Sequence, residues 1–486
     1  MRLAELFPET AIPEVLALQE IKGISADSRA VAPGMVFFAL PGTKTNGLAF
    51  VNQAAERGAI AIVSERAPEG SAARAAYVKT NDVRQAFAQA AARFYPGQPE
   101  TIAAVTGTSG KTSVADFARQ IWLSLGLKAA SLGTLGTIGP VGVLPGSLTT
   151  PDPVSLHKAL AELTQSGVTR LVLEASSHGI LQRRLDGVRL EAAAFTNLSR
   201  DHLDYHATIE DYLDAKLGLF NRLLEPGKPA IINADSDVAD KVHAACLARG
   251  LNIISVGTKG TNFRIDKAEA EHFSTRVVFT FEGKVHSLLL PLAGTFQASN
   301  ALIAAALCIA TGSPHEAVFA ALEKLNGPPG RLELAGRKNG APIFVDYAHK
   351  PDALDKAIRA LRPFVVGKLI VVFGCGGDRD AGKRPLMGEI AARLADHVVI
   401  TDDNPRSEDP ASIRRVIKEG AGNAAHVEDI GDRASAIAHA IGMLAKGDSL
   451  LVAGKGHETG QIIGAITLPF SDLTCVRSIL NNEASP

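Results

Sequence analysis

The stretch TIAAVTGTSGKTSVADFARQIW (101–122) constrains the fold more than any other part of this chain. Ile102–Val105 is an uncharged run of small and branched residues, as expected of a strand buried on both faces. A glycine-punctuated loop follows, and a helical pattern opens at Lys111. Strand, glycine loop and helix in that order build a parallel α/β sheet with the loop at its C-terminal edge. Gly107 and Gly110 allow the backbone to wrap an anion, and the amides and dipole of a helix start favour negative charge there. Lys111 can reach β- and γ-phosphates, and the Thr112 hydroxyl can ligate Mg²⁺. Gly107, Thr108, Ser109, Gly110, Lys111, Thr112 and Ser113 therefore form a candidate phosphate cradle. The longer form of this loop needs a glycine where Val105 stands. An ordinary turn after a buried strand is the plain alternative, but the strand and helix context favours a nucleotide. No NKxD sequence is present, which favours ATP over GTP. Glu174 ends the apolar run RLVLE and is a second candidate for Mg²⁺; capping of the next helix is an equally good reading of it.

Similar alternation runs through most of the chain. AIAIV (59–63), RLVLEAS (170–176), LIVVFG (369–374), HVVIT (397–401) and SLLVAG (449–454) read as buried strands. VRQAFAQAAARFY (83–95) and LMGEIAARLA (386–395) read as helices between them. The fold class is α/β with mostly parallel sheets. At roughly 100–200 residues per domain, 486 residues allow two to four domains. YPGQPE (95–100) and LNGPPGRLE (325–333) break regular structure, giving domains 1–97, 98–330 and 331–486.

Composition narrows the function. Fifty Lys and Arg against 51 Asp and Glu leave a net charge of -1, which argues against a general polyanion binder and against nucleic acid. Aromatics at 5% argue against an aromatic-lined binding groove. Cys246, Cys308, Cys375 and Cys475 are too scattered for a zinc site or a disulfide framework. The charged N-terminus leaves no room for a signal-peptide core, and no run reaches the roughly 20 apolar residues of a membrane span. The expectation is a cytoplasmic protein without membrane insertion. LIVVFGCGGDRD suggests a dinucleotide fingerprint, but its third glycine position is Arg379, so NAD is rejected.

Eleven further motifs follow GTSGKT in order. They are TTPDP (149–153), EASSHGILQRRL (174–185), FTNLSRDHLDYH (195–206), DYLDAKLGLF (211–220), NAD (233–235), GTFQASNALIAAA (294–306), PGRLE (329–333), VDYAHKPDAL (345–354), GGDRDAGKRP (376–385), DNPRSEDP (403–410) and GKGHETGQ (454–461). Together they resemble the Mur ligase family of peptidoglycan synthesis, over essentially the whole chain. Ser109 stands where that family more often has Asn, and Leu148 where relatives often have Asn.

The resemblance implies three domains: a small α/β domain for a uridine nucleotide, a P-loop-type ATPase, and a Rossmann-like domain for an incoming amino acid. It implies that ATP phosphorylates the carboxylate of UDP-N-acetylmuramoyl-L-alanyl-D-glutamate and that meso-diaminopimelate attacks the acyl phosphate. The protein is expected to act as a monomer, with Mg²⁺ as cofactor and ATP as co-substrate. Ala26, Ser28, Thr43, Lys44 and Thr45 match the family's uridine-binding segment. Thr149, Thr150, Ser176, Gln182 and Arg184 match contacts to the muramoyl dipeptide. His202 would sit on a second Mg²⁺. Lys216, carbamylated by CO₂, would become an anion able to contact metal; by its residues alone it reads as a solvated helical lysine. Asn300, Arg331 and Asp346 would contact the nucleotide, although Asn300 also reads as the cap of the apolar helix that follows. Arg379, Asp403, Asn404, Pro405, Arg406, Gly454 and Glu458 would hold the amino acid. Arg406 could pair with the distal carboxylate of diaminopimelate, which lysine lacks, and Glu458 could accept from the distal ammonium. An Asn-Pro turn with a helix start at Ser407 is compatible with that role. Rival readings are a lysine-adding relative, folylpolyglutamate synthetase (which lacks a comparable N-terminal domain), and a non-catalytic nucleotide switch.

Overall fold

Apolar runs too short for helices become strands, and the amphipathic stretches between them become helices laid over the sheet faces. A computed structural model describes the chain except residues 11, 13, 43–44, 68–74, 141, 145, 147, 200, 202–204, 272, 423, 425 and 484–486, and the side chains at 15, 482 and 483. Thr43, Lys44 and His202, expected at binding or catalytic positions, lie outside the described residues. The chain forms two compact units, one of residues 1–262 and 303–318, the other of residues 263–302 and 319–486.

In the first unit, Gly23–Ser25, Met35–Phe38, Ala61–Ser64 and Ala76–Lys79 pair in chain order as a parallel sheet. The helix Val83–Phe94, capped by the Asp82 side chain on the Gln85 amide, covers it. Phe38 and Phe87 meet in the core between them, ring centroids 4.9 Å apart.

The same unit holds a second, larger sheet. Its parallel strands lie in the order Asn252–Gly257, Pro229–Asn233, Ala192–Phe195, Thr101–Thr106, Arg170–Glu174, Ala129–Gly133. Gly136–Gly139 and Gly142–Leu144 continue it antiparallel. Thr101–Thr106 is buried along its whole length, as its uncharged sequence predicts. Its neighbours place the C-terminal ends of Glu174, Phe195 and Gly133 around the loop that leaves Thr106.

In the second unit, Phe263–Glu271, Ser274–Phe281 and Lys284–Leu290 form antiparallel ribbons. A further sheet runs Glu333–Lys338, Ala341–Asp346, Ser449–Ala453, Leu369–Phe373, His397–Ile400, Val427–Asp429; only its first pair is antiparallel. Leu354, Ile358, Met387, Ile413 and Ile417 pack on one face of it. Ile437, Ile441 and Val476 pack on the other, so this sheet is covered by helices on both sides.

Two helix starts differ from expectation. Asn300 lies inside the helix Phe296–Ala310 instead of capping it. The helix after DNPR begins at Pro410, not Ser407, because the Asp409 carboxylate accepts from the Ser412 amide and Pro suits a first turn. No helix among the described residues is long and apolar enough to cross a membrane.

Candidate active site

The loop after Thr106 closes tightly on its neighbour strand. Gly107 has φ 144, and a Cβ there would lie 1.9 Å from Thr196 Oγ1, so only glycine fits. The Thr108 amide donates to the Asn197 carbonyl at 2.9 Å and the Ser109 amide to Asn197 Oδ1 at 3.0 Å. Asn197 thus pins the loop from the next strand end. The helix Lys111–Ser124 starts immediately, and helix geometry leaves its first amides without intrahelical partners. Lys111 Nζ donates to the carbonyls of Gly107 and Thr108, at 2.8 and 3.0 Å.

Thr112 and Glu174 come together as expected. Thr112 Oγ1 donates to Glu174 Oε2 at 3.1 Å, and both residues are buried. Thr134, which the sequence did not single out, donates to the same carboxylate from its amide (2.9 Å) and its hydroxyl (3.1 Å). Gly133 makes this approach possible, since a Cβ there would meet Glu174 Oε1 at 2.2 Å. Glu174 therefore bonds across the sheet edge instead of capping the next helix; Ser176 does the capping, accepting from the Gly179 amide.

Lys216 is not solvated. Its side chain is buried, with Nζ donating to the Gly107 carbonyl at 2.9 Å and lying 4.1 Å from the centre of the Tyr212 ring. Burial and then the nearby Lys111 charge hold its pKa well below the ordinary lysine value, against the pull of Asp201. The side-chain nitrogens of Lys111 and Lys216 thus share one carbonyl oxygen, that of Gly107.

The dipeptide candidates form a continuous chain of hydrogen bonds. Thr149 Oγ1 lies 3.1 Å from Thr134 Oγ1, and Thr150 Oγ1 donates to the Glu174 carbonyl at 2.8 Å. Thr150 and Ser176 hydroxyls are 3.0 Å apart. The Arg184 guanidinium bonds Gln182 Oε1 and the Thr150 carbonyl, and Gln182 Nε2 donates to the Tyr205 hydroxyl at 3.0 Å. Tyr205 was not anticipated. The uridine candidates are separate from this chain of bonds: Ser28 bonds Gln53 at 2.7 Å, Ala26 is half-buried, and Thr45 is exposed with its carbonyl accepting from Gly42.

In the second unit, Asp346 ends its strand, accepts from the Leu332 amide at 2.7 Å, and is pushed up to about 6 by burial against the pull of Arg331. Arg331 lies over the Tyr347 ring at 4.9 Å, and its Nε has no hydrogen-bond partner among the described residues. Asn300 Nδ2 donates to Gln297 Oε1 at 2.9 Å. His457, beside Tyr347, is lowered to about 4 by burial and Arg331.

The diaminopimelate candidates occupy loops leaving the C-terminal ends of the strands Leu369–Phe373, His397–Ile400 and Ser449–Ala453. Asn404 Nδ2 donates to Glu458 Oε2 at 2.9 Å. Arg406 has φ 52, a left-handed conformation held by its amide on the Ile462 carbonyl (3.0 Å) and by the Gly464 amide on its own carbonyl (2.7 Å). Its guanidinium donates to the Gly377 carbonyl at 2.8 Å. Asp403 and Pro405 are buried, and Gly454 lies so close to Asp403 that a Cβ would meet its carboxylate at 2.7 Å. Arg379 is exposed and bonds only the Asp378 carbonyl, at 3.3 Å, among the described residues. The Asp378 carboxyl is held below the usual range first by the Ser407 hydroxyl and amide, then more weakly by the charges of Arg406 and Arg379. The buried Lys455 belongs to this cluster too, and the residue pattern gave no sign of it, since a lysine between two glycines reads as a solvated loop residue.

A glycine loop of phosphate-binding pattern on one α/β sheet and a cluster of charged loops on another are what an ATP-dependent ligase would need, and the comparisons agree. The Mur ligase middle domain matches residues 105–308, the Mur ligase glutamate ligase domain residues 330–456, and the Mur ligase family catalytic domain residues 20–95. The chain belongs to the Mur ligase family. It is 54% identical over 490 residues to the UDP-N-acetylmuramoyl-L-alanyl-D-glutamate--2,6-diaminopimelate ligase of Bradyrhizobium diazoefficiens, covering 100% of both chains. A solved structure of a ligase of that name aligns over 100% of both chains, with TM-score 0.74 and 33% identity. The MurF ligase of Thermotoga maritima in complex with ADP aligns over 96% of this chain and 98% of its own, with TM-score 0.62 at 19% identity, which shows the shared fold.

Proposed function

We propose that this chain is a cytoplasmic, monomeric ATP-dependent ligase that joins meso-diaminopimelate to UDP-N-acetylmuramoyl-L-alanyl-D-glutamate during peptidoglycan precursor synthesis. Residues 1–97 would bind the uridine nucleotide, 98–330 ATP, and 331–486 the amino acid. The observation that carries the choice of amino acid is the Arg406, Asn404 and Glu458 cluster. It offers a guanidinium for a carboxylate and a carboxylate for an ammonium, the two groups of the distal end of diaminopimelate. Lysine would leave the guanidinium without its counter-charge.

A carboxylate is a poor electrophile, so a terminal carboxylate oxygen of the glutamyl residue attacks the γ-phosphorus and ADP leaves. The amine of diaminopimelate then attacks the acyl carbon. The tetrahedral intermediate expels phosphate, the amine nitrogen loses a proton, and an amide remains. Lys111 and the first amides of its helix are suited to steady the phosphates, while Asn300, Arg331 and Asp346 would hold the nucleotide; a buried Arg331 Nε with no hydrogen-bond partner among the described residues supports a ligand role. Ala26, Ser28, Thr43, Lys44 and Thr45 would hold the uridine end, and Thr149, Thr150, Ser176, Gln182 and Arg184 the dipeptide. Arg379, Asp403, Pro405 and Gly454 complete the amino-acid site.

Thr112 and Glu174 present a hydroxyl and a carboxylate 3.1 Å apart, oxygen donors that suit Mg²⁺ completed by phosphate and water. Among the described residues no group of three or more His, Cys, Asp or Glu is placed to hold a metal. Bound there, Mg²⁺ would neutralise phosphate charge. Burial favours the neutral Lys216 amine, the form that adds CO₂ to give a carbamate and a proton. That carbamate and His202 would serve a second Mg²⁺.

The test is direct. The protein is incubated with ATP, Mg²⁺, the UDP-linked dipeptide and one amino acid at a time, and phosphate release and product mass are followed. Release with meso-diaminopimelate and not lysine is the expected result. Release with lysine alone overturns the specificity, and no release with any amino acid supports a binding module.

A further inference from the structure

Lys455 follows Gly454 at the end of the strand Ser449–Ala453 and turns inward, with none of its side chain exposed. Its Nζ donates to Asn404 Oδ1 at 3.1 Å and to Glu458 Oε2 at 3.2 Å, and lies 3.8 Å from Asp403 Oδ1. A buried ammonium is tolerated only with such partners, and a buried ion pair is better at specifying one arrangement than at adding stability. The arrangement specified here is that of the residues proposed to read the amino acid.

Asn404 Oδ1 has two lone pairs, and Lys455 Nζ and the Ile462 amide (2.9 Å) fill both. Flipping the amide would set its NH₂ against an ammonium and an N–H. The Asn404 Nδ2 is therefore committed to Glu458, which it meets at Oε2, the same oxygen that Lys455 holds. Two donors on Oε2 leave Oε1 turned away from them, with the Tyr347 hydroxyl at 3.5 Å. An incoming ammonium is then met by Glu458 Oε1, not by the Asn404 carbonyl.

We infer that Lys455 is a positioning residue for amino-acid specificity: it locks the Asn404 amide and the Glu458 carboxylate so that one carboxylate oxygen receives the distal ammonium of a diamino dicarboxylic acid. The inference rests on the diaminopimelate reading of this cluster. Removing Lys455 takes away one of the two donors that hold Asn404 Oδ1, and with it the ammonium that Glu458 Oε2 and Asp403 face. The cost should fall on ligands that carry the distal ammonium and spare those that lack it.

The experiment uses the full chain with ATP, Mg²⁺ and the UDP-linked dipeptide, comparing wild type with Lys455→Met. Constants are measured for meso-diaminopimelate and for 2-aminopimelate, which lacks the distal amino group, as KM or as an inhibition constant. For Lys455→Met the diaminopimelate KM should rise by about ten- to a hundredfold, the scale of lost charged hydrogen bonds, with kcat changed much less. The 2-aminopimelate constant should move by less than about threefold on the same scale. An equal rise for both ligands, or no rise for either, overturns the inference. If Lys455→Met does not fold, Lys455→Gln, which is uncharged but keeps a donor, takes its place with the same outcomes. Failure of the wild type itself to use diaminopimelate would instead overturn the reading of the site.

Discussion

Two lysines among the described residues are almost completely buried, and they live in opposite surroundings. Lys216, 1% exposed, meets a backbone carbonyl, an aromatic ring and the field of a second lysine. Lys455, 0% exposed, meets an amide oxygen and two carboxylates. Burial alone therefore does not define what a lysine does. In the first case the environment resists the positive charge and favours a nucleophilic amine. In the second the charge organises the groups around it. One suits chemistry on the nitrogen itself, the other suits holding a recognition site in one conformation.

The sharpest way to break this contrast is Lys216→Arg. An arginine keeps its charge and cannot form the carbamate, so phosphate release should fall by about a thousandfold, comparable to losing a major electrostatic contributor at an active site. Nucleotide binding, followed by calorimetry, should survive. Retained turnover would mean that the nitrogen of Lys216 has no chemical role. Next in size is Arg406→Ala in the other region. The KM for diaminopimelate should rise by about a hundredfold, as for truncation of one partner in a charged contact, with ATP affinity unchanged. Parallel loss of ATP affinity would show that the cluster does not serve the amino acid alone.

Thr112→Val tests the neighbourhood of Lys216 more gently. Removing the hydroxyl that bonds Glu174 should weaken Mg²⁺-dependent nucleotide binding by about tenfold, the scale of one hydrogen bond to a charged group. Binding measured without Mg²⁺ should change little. An equal change with and without the ion would separate Thr112 from metal binding.

The last effect concerns stability, not activity, and lies at Asp346. Its pKa is 3.8 ordinarily and about 6 in the folded protein. Between those values the folded chain keeps a proton that the unfolded chain has lost, so stability falls as pH rises through this window. The fall amounts to roughly 3 kcal/mol. Asp346→Asn should flatten it, as read from urea unfolding midpoints between about pH 4 and 7. A variant whose midpoints still fall as steeply would locate the pH dependence elsewhere.

Much of this was legible beforehand. Thr101–Thr106, Arg170–Glu174, Leu369–Phe373 and Ser449–Ala453 are strands because their apolar runs suit a sheet covered on both faces. The place of Glu174 at the sheet edge beside the glycine loop followed from the rule that adjacent parallel strands present their C-terminal ends together, but its bond to Thr112 in place of helix capping was decided by the fold. Helix starts were less legible. Asn300 and Ser407 both carry capping side chains, but the start is decided by whichever donor and acceptor the surrounding chain brings together, and Asp409 caps the later helix. Thr134 and Tyr205 were missed because a hydroxyl becomes a site residue only through what stands opposite it.

Residue order alone determined the alternation of strand and helix, the glycine loop with its lysine and threonine, and the set of charged motifs that places the chain among the Mur ligases. Those are local properties: periodicity, backbone freedom at glycine, and the donor chemistry of each side chain. The tertiary structure decided which of the buried groups are charged partners and which are not. It put Lys216 on the Gly107 carbonyl, 109 positions away, and Lys455 between Asn404 and Glu458. The reason is physical. The free energy of an ammonium depends on how much water it has lost and which charges stand within a few ångströms, and both are set by contacts between segments that the chain order does not bring together.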